Sequence, residues 1–224
     1  MGRWRAVLNE IDFNLLWQAT GETIYMVGIS TLFTAVLGIP LGVLLVITDK
    51  GYFLENLVVQ RILAAVVNVF RAVPFIVLVL FLFPVSQLIV GTTLGPTAAT
   101  IPLIAGAAPF YARMVETAIR EIDRGVIEAS QAMGATKMTI IRKVLIPEAL
   151  PAIVSGLTVT CVSLISFSAM AGIVGGGGLG DAAYRFGFQS FNDQMLYACG
   201  IILIILVQLV QGVGDWMARR LDKR

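Results

Sequence analysis

The sequence predicts an all-α integral membrane protein, a helical bundle with five transmembrane helices. Of the 224 residues, 58% are hydrophobic and only 13% charged, about half the ~25% charged share of a soluble domain, and the mean hydropathy is +0.88. The charges are gathered into short stretches, and the apolar runs between them reach the ~20 residues needed to cross a bilayer. Glycine and proline turn signals fall between the runs, and no soluble-repeat period is present. Little material remains for a second domain, so residues 1–224 read as a single transmembrane unit.

Taken in order, residues 1–22 place Trp4, Val7, Leu8, Ile11 and Leu15 at helical spacing among Arg3, Arg5, Glu10 and Asp12. That pattern predicts an amphipathic helix lying on the membrane interface. It is no signal peptide, because charge interrupts its apolar run. The first span is expected over Thr23–Thr48, which is free of charge. Gly28, Gly38 and Gly42 permit close helix packing there, Pro40 predicts a kink, and Asp49-Lys50-Gly51 supplies turn chemistry at its end. A short polar connection over 52–61 leads to a second span, Ile62–Leu88, containing Asn68, Arg71 and Pro74. The charge-free run from Ala72 to Ala112, about 41 residues, is too long for one span and suits the ends of two. Turn residues 91–97 therefore separate the second span from a third over Ala98–Ile119. A fourth span is expected over Ala149–Val174 and a fifth over Gln194–Gly214, with the Gly-rich run 175–180 between them.

Five spans put the termini on opposite sides of the membrane. Lys50, Arg61, Arg113, Arg120, Arg124, Lys137, Arg142, Lys143, Arg219, Arg220, Lys223 and Arg224 would share one side. Only Arg3, Arg5 and Arg185 would lie on the other. The positive-inside rule then puts the N-terminus outside and the C-terminus in the cytoplasm.

The polar stretch that interrupts the apolar pattern is EASQAMGATKMTIIRKVLIP, Glu128 to Pro147. Glu128–Met133 are good helix formers. Gly134 can end that helix in a left-handed turn, and Thr136 can cap a second short helix running to Ile146. Pro147 lacks a backbone donor and marks a boundary. A polar hairpin of helices at a membrane surface suits docking into a groove on a soluble partner; the alternative is a solvated connector. For docking, Ala129 and Gly134 offer close backbone approach, while Met133, Ile140, Ile141 and Val144 offer aliphatic anchors.

Glu128, Ala129, Ser130, Gly134, Val144, Ile146 and Pro147 together resemble the EAA loop of ABC importer permeases. Ser130 stands where that pattern has Ala, and Val144 and Ile146 stand for its usual Ile and Leu. The resemblance widens to NVFRAVPFIVL at 68–78, GAAPFYARMVE at 106–116, EASQAMGATKMTIIRKVLIPEALP at 128–151 and SAMAGIVGGGGLG at 168–180. These segments are similar to the methionine ABC importer permease family over nearly the whole chain from Glu22. That resemblance implies a type I ABC importer permease fold in the bacterial inner membrane. It implies a homodimer whose loop at about 120–147 docks on a separate cytoplasmic ATPase. An extracytoplasmic methionine-binding protein would deliver L-methionine or forms such as D-methionine. The chain itself would be no enzyme and hold no cofactor, ATP and Mg belonging to the ATPase. Membrane lipid is the remaining partner, and no nucleic acid is implied.

Other motifs point to no catalysis. No histidine occurs, which removes His-based nucleophile pairs, metal sites and proton relays. Cys161 and Cys199 lie in apolar stretches and read as small buried hydrophobes. Gly175, Gly177 and Gly180 match G-x-G-x-x-G, but a membrane span precedes them rather than a strand, so the nucleotide reading fails. A flexible outer gate or a close-packed helix end remains for that run. Arg113 and Glu116 stand near the end of the third expected span; Arg71, the charge inside the second, has Asn68 on the same helical face. It is either a group lining a pathway or a residue that bonds helix carbonyls and snorkels. Ser163, Ser166, Ser168, Met170 and Gly172 cluster in the fourth span, either to pack helices or, through Met170, to plug a narrow passage. A stand-alone channel or secondary carrier is the other function class left open. It would require ionisable coupling groups within the membrane and often an internal repeat.

Overall fold

The computed structural model describes residues 12–222, all helix, turn and loop, with no strand among the described residues. Half of the expected interfacial helix, residues 1–11, therefore falls outside the described residues. Its remainder behaves differently from expectation. The first helix, α1, runs from Phe13 to Ile47, 35 residues, starting well before Thr23. Asp12 explains the early start, because its Oδ1 accepts the Asn14 and Leu15 N–H groups at 3.0 and 3.1 Å and so caps the first turn. Nothing between Phe13 and Thr23 breaks the helix. Thr20 and Thr23 donate their hydroxyls back to the carbonyls of Leu16 and Ala19, which satisfies them inside an apolar helix. Pro40 lies within the same helix. The turn after α1 follows the sequence: Gly51 has φ +81°, and Asp49 Oδ1 accepts the Lys50 N–H at 2.8 Å.

The second span is not one straight helix. Helix α2 (Leu57–Ala72) and helix α3 (Phe75–Val90) meet at a bend of 110°. Val73 is extended and Pro74 has no N–H to donate, the expected consequence of a residue before proline leaving the helical region. Gln60, Arg61, Asn68 and Arg71 fall on one arc of α2, and most of its aliphatic residues on the other. Among the described residues, four helices are long and apolar enough to cross a membrane, five if this bent pair counts as one span.

Helix α4 (Pro96–Arg120) matches the third expected span. The central stretch forms α5 (Arg124–Ala132) and α6 (Lys137–Ile140). Pro147 is not the boundary it was expected to be. A π-helical turn, Ile141–Leu145, leads directly into α7 (Ile146–Ala171), and the whole of Lys137–Gly176 reads as one helical segment. The wider turn absorbs the missing proline donor: the Ile146 N–H reaches back to Ile141 O, five residues instead of four. That segment ends over Gly172–Gly176, where Val174 and Gly175 leave the helical region with φ of −102° and +89°. Then come α8 (Gly178–Ala182), a second π-helical stretch Ala183–Gln189, and α9 (Asp193–Leu221).

The chain divides into two compact units. One comprises the chain up to Leu32, Pro74–Ala105 and Cys161–Gln211. Its core joins Leu16 and Ala19 of α1, Leu179 and Ala182 of α8, and Met195 and Cys199 of α9. Phe75 and Phe167 stack with ring centroids 4.5 Å apart. The other unit comprises Phe33–Val73, Gly106–Thr160 and the chain from Gly212. Val43, Val46 and Ile47 there pack with Tyr111, Val115, Ile119, Ile127, Ile140, Leu145 and Ile153. Two of the expected packing glycines serve this core. A methyl group on Gly42 would come within 2.6 Å of Ala112 O, and one on Gly38 within 2.6 Å of Tyr111 Cδ1. A methyl group on Gly28 would meet nothing within 4 Å among the described residues.

Candidate functional site

The α5–α6 hairpin is built as a braced projection. Asp123 starts α5 by accepting the Gly125 N–H at 2.7 Å. Ile127 and Ser130 face inward; Glu128 and Ala129 face out. Ser130 donates its hydroxyl to Val126 O at 2.7 Å, which satisfies it where it is buried. Its own carbonyl accepts the Ala135 N–H at 3.1 Å. Gly134 holds φ +78° with open space around it, the left-handed turn expected. Thr136 then caps α6, accepting the Thr139 N–H at 3.3 Å. Behind the hairpin, Arg124 lies over the Tyr52 ring at 5.8 Å. A small hollow of about 120 Å³ is lined by Gly51, Tyr52, Phe53, Arg124, Glu128 and Gln131, with Ile127 at its base.

The expected anchors divide into two groups. Ile140 is 1% exposed and belongs to the core, and Ile141 and Val144 pack against that core. They hold the hairpin to its own chain and are not free to enter a groove on another protein. The reason is helical phase: Ile140, Val144 and the intervening turn continue the inward face of the helix that leads to Leu145 and Ala149. The apolar side chains that do face outward are Met133, 81% exposed, and Met138, 55% exposed, with Val126 beside them. Met133 was among the expected anchors; Met138 and Val126 were not. Pro147 is exposed.

A charged cluster sits at the end of α4. Glu116 is 5% exposed. Arg113 donates to its Oε2 at 2.6 Å, and Arg120 donates to its Oε1 at 2.9 Å. Arg120 also reaches Asp49 Oδ2 at 2.6 Å, and Arg113 reaches Asn68 Oδ1 at 2.9 Å. Hydrogen bonding from the Arg120 guanidinium, and from the Lys50 N–H, holds the Asp49 carboxyl below the usual carboxylate range. Spacing of 113, 116 and 120 on one helical face was the signal available in sequence; the partners Asp49 and Asn68 come from elsewhere in the chain. Asn68 is thus committed to Arg113. Arg71 is exposed and makes no ion pair among the described residues.

The Gly-rich run forms a backbone reversal. Gly175, Gly177 and Gly178 have φ of +89°, +77° and +76°. Gly175 O accepts the Gly95 N–H at 2.8 Å. Next to the run is a cavity of about 410 Å³ with a mixed lining, Gln18, Glu22, Asp181 and Arg185 on the polar side and Leu15, Leu94, Pro96 and Phe186 on the apolar. Gly172 lies so close to the backbone of Gly180 that a methyl group there would come within 2.8 Å of the carbonyl carbon. Ser168 is buried and donates to Ile165 O at 2.7 Å, a packing role. Met170 is partly exposed, as is Ser166. No group of His, Cys, Asp and Glu suited to a metal is present among the described residues.

Comparison with known proteins adds four findings. The family model described as "Binding-protein-dependent transport system inner membrane component" matches residues 36–224. A probable D-methionine transport system permease protein of Vibrio cholerae is 52% identical over 214 residues, covering 96% of this chain and 95% of that protein. A methionine import system permease protein of Bacillus subtilis is 49% identical over 214 residues, covering 96% of each. Among solved structures, an inward-facing MetNI methionine ABC transporter superposes with a TM-score of 0.92 at 44% identity, covering 95% of this chain and 100% of that one.

Proposed function

The chain belongs to the family of binding-protein-dependent transport system inner membrane components, and from that premise we propose that it is the permease subunit of an ATP-driven methionine importer. As a member of that family it is a multi-pass inner-membrane protein, and ATP hydrolysis belongs to a separate ATPase subunit. The observation that carries the mechanism is the α5–α6 hairpin. It is anchored from behind by Ile127, Ile140 and Leu145 and presents Glu128, Ala129, Met133 and Met138 outward. A surface so braced transmits displacement, because packed cores are not continuously deformable. In this reading the hairpin docks on the ATPase, two copies of the chain enclose the pathway, and an extracytoplasmic binding protein delivers the substrate. Methionine is supported by the names of relatives about half identical to this chain over nearly their full lengths. The hairpin and C-terminus face the cytoplasm and the N-terminus faces out, as the distribution of Lys and Arg supports. The Gly-rich reversal serves as the gate at the opposite end of the pathway.

A secondary carrier requires ionisable coupling groups within the membrane. Glu116, buried near the end of α4, is held by two arginines. The test is uptake in liposomes with the co-purified ATPase and binding protein. Methionine accumulation that requires ATP is expected. Accumulation by this chain alone under an ion gradient would overturn the reading.

A further inference from the structure

The Gly-rich reversal is held shut by side chains from the opposite end of the sequence. Gly177 offers no side chain to accept the N–H groups that follow it. The Gly178 N–H instead donates to Glu22 Oε2 at 2.8 Å, and the Leu179 N–H donates to Thr23 Oγ1 at 2.9 Å, each across 156 residues. Gln18 donates to the other oxygen of the Glu22 carboxylate at 3.0 Å, and Thr23 donates onward to Ala19 O at 3.0 Å, so both acceptors are fixed in place. The glycines fit these side chains. A methyl group on Gly177 would come within 2.9 Å of Glu22 Oε2, and one on Gly178 within 2.7 Å of Thr23 Oγ1. Immediately below the contact lies the cluster of Leu16, Ala19, Leu179, Ala182, Met195 and Cys199.

We infer that Glu22 is the positioning residue of the gate, a latch whose carboxylate sets how often the Gly-rich reversal parts from α1. The inference rests on the reading of that reversal as the gate. A hydrogen bond to an ionised carboxylate is about twice as strong as one to a neutral acceptor, so the tie favours the closed arrangement. It is also releasable. The adjoining cavity of about 410 Å³, whose mixed lining includes Gln18, Asp181 and Arg185, admits water to the freed N–H groups, whereas in hydrocarbon those groups would stay unsatisfied. The run 175–178, with three residues at positive φ, supplies the backbone freedom such a movement needs.

The chain carries its own reporter, because Cys199 is fully buried in the cluster under the latch. The experiment measures the rate at which N-ethylmaleimide modifies Cys199 in a Cys161→Ala background. The full-length chain is purified with its co-expressed ATPase in lipid nanodiscs. Glu22→Met keeps the volume and removes the acceptor; Glu22→Gln keeps an acceptor and removes the charge. Modification is expected to rise about tenfold or more in Glu22→Met, and by only a few-fold in Glu22→Gln, because modification of a buried group follows the open population. Thr23→Val, which removes the second tie, is expected to fall between them and serves if Glu22→Met does not assemble. If Met and Gln behave alike, whether both protect Cys199 or both expose it, the hydrogen-bonded latch is wrong. The thiol readout needs neither methionine nor ATP. A failed uptake assay therefore strikes the transport reading alone, and a Cys199 that stays protected in both variants strikes the latch alone.

Discussion

Replacing Gly134 by valine isolates the geometry of the α5–α6 turn from every other contribution. Gly134 sits at φ +78° with nothing within 4 Å of the position a side chain would take. The substitution therefore creates no clash with the core, and its cost is confined to the backbone. For a non-glycine residue that cost is roughly 1–2 kcal/mol, and a β-branched residue lies at the upper end. At about 1.4 kcal/mol per tenfold, the equilibrium constant for the competent turn should fall by roughly 5- to 30-fold, and its population by up to that factor. If docking requires that turn, the apparent dissociation constant for the ATPase rises as the competent population falls, by up to that factor. Asparagine, which tolerates the left-handed region, should lose far less. The assay is titration of purified ATPase onto nanodisc-embedded permease for wild type, Gly134→Asn and Gly134→Val, with membrane insertion checked in parallel. A Gly134→Val protein that inserts normally and binds the ATPase with wild-type affinity would refute the role of the turn in docking.

Other outcomes follow from the same structure. Met133→Ala with Met138→Ala should leave thermal stability within about 0.5 kcal/mol of wild type while weakening ATPase binding; Ile140→Ala should cost about 2–5 kcal/mol of stability, visible as a lowered melting temperature. Gly42→Ala should cost about 1–3 kcal/mol by overpacking against Ala112 and Val115, whereas Gly28→Ala should be tolerated, as melting of the two variants will tell. Asp49 has a folded-state pKa below its unfolded value of about 3.9, so its contribution is present above that unfolded value and is lost as pH falls through the folded one. The melting-temperature gap between wild type and Asp49→Asn should hold steady from about pH 8 to 5 and close only in more acid solution; a gap that instead closed near neutrality would reject the Arg120–Asp49 tie. A cysteine at position 137 should resist impermeant reagents applied outside intact cells, and its labelling there would invert the topology.

Charge distribution and run length made the membrane helices legible, and α4 and α9 lie where the charge-free runs put them. The bend at Val73-Pro74 was less so, because a proline in an apolar run is equally compatible with a kinked span, and only packing decides the angle. Pro147 misled for a related reason. Local rules say that proline interrupts a helix, but a π-helical turn upstream can supply the missing register, and nothing in the sequence announces it. In the hairpin, Gly134 and Thr136 were readable because their roles are local. Which aliphatic residues face inward was not, since Ile140 and Met138 differ only by helical phase relative to a core not yet known. Long-range ties left no local trace: Glu22 with Gly178, Asp49 with Arg120, and Asn68 with Arg113 join segments distant in sequence.

The outward placement of Met133 and Met138, against the inward placement of Ile140 and Leu145, separates two demands on one short stretch. The inward residues answer to the protein's own fold and tolerate little change in shape. The outward ones are unbranched and polarisable, and adapt to differently contoured surfaces. Specificity for one motor over another can therefore drift, or be rewritten, at a few exposed positions without disturbing the helices beneath. In the reading proposed above, a permease of this design can be re-paired with a foreign motor by exchanging Val126, Glu128, Met133 and Met138, which makes the hairpin a natural point for building orthogonal importers.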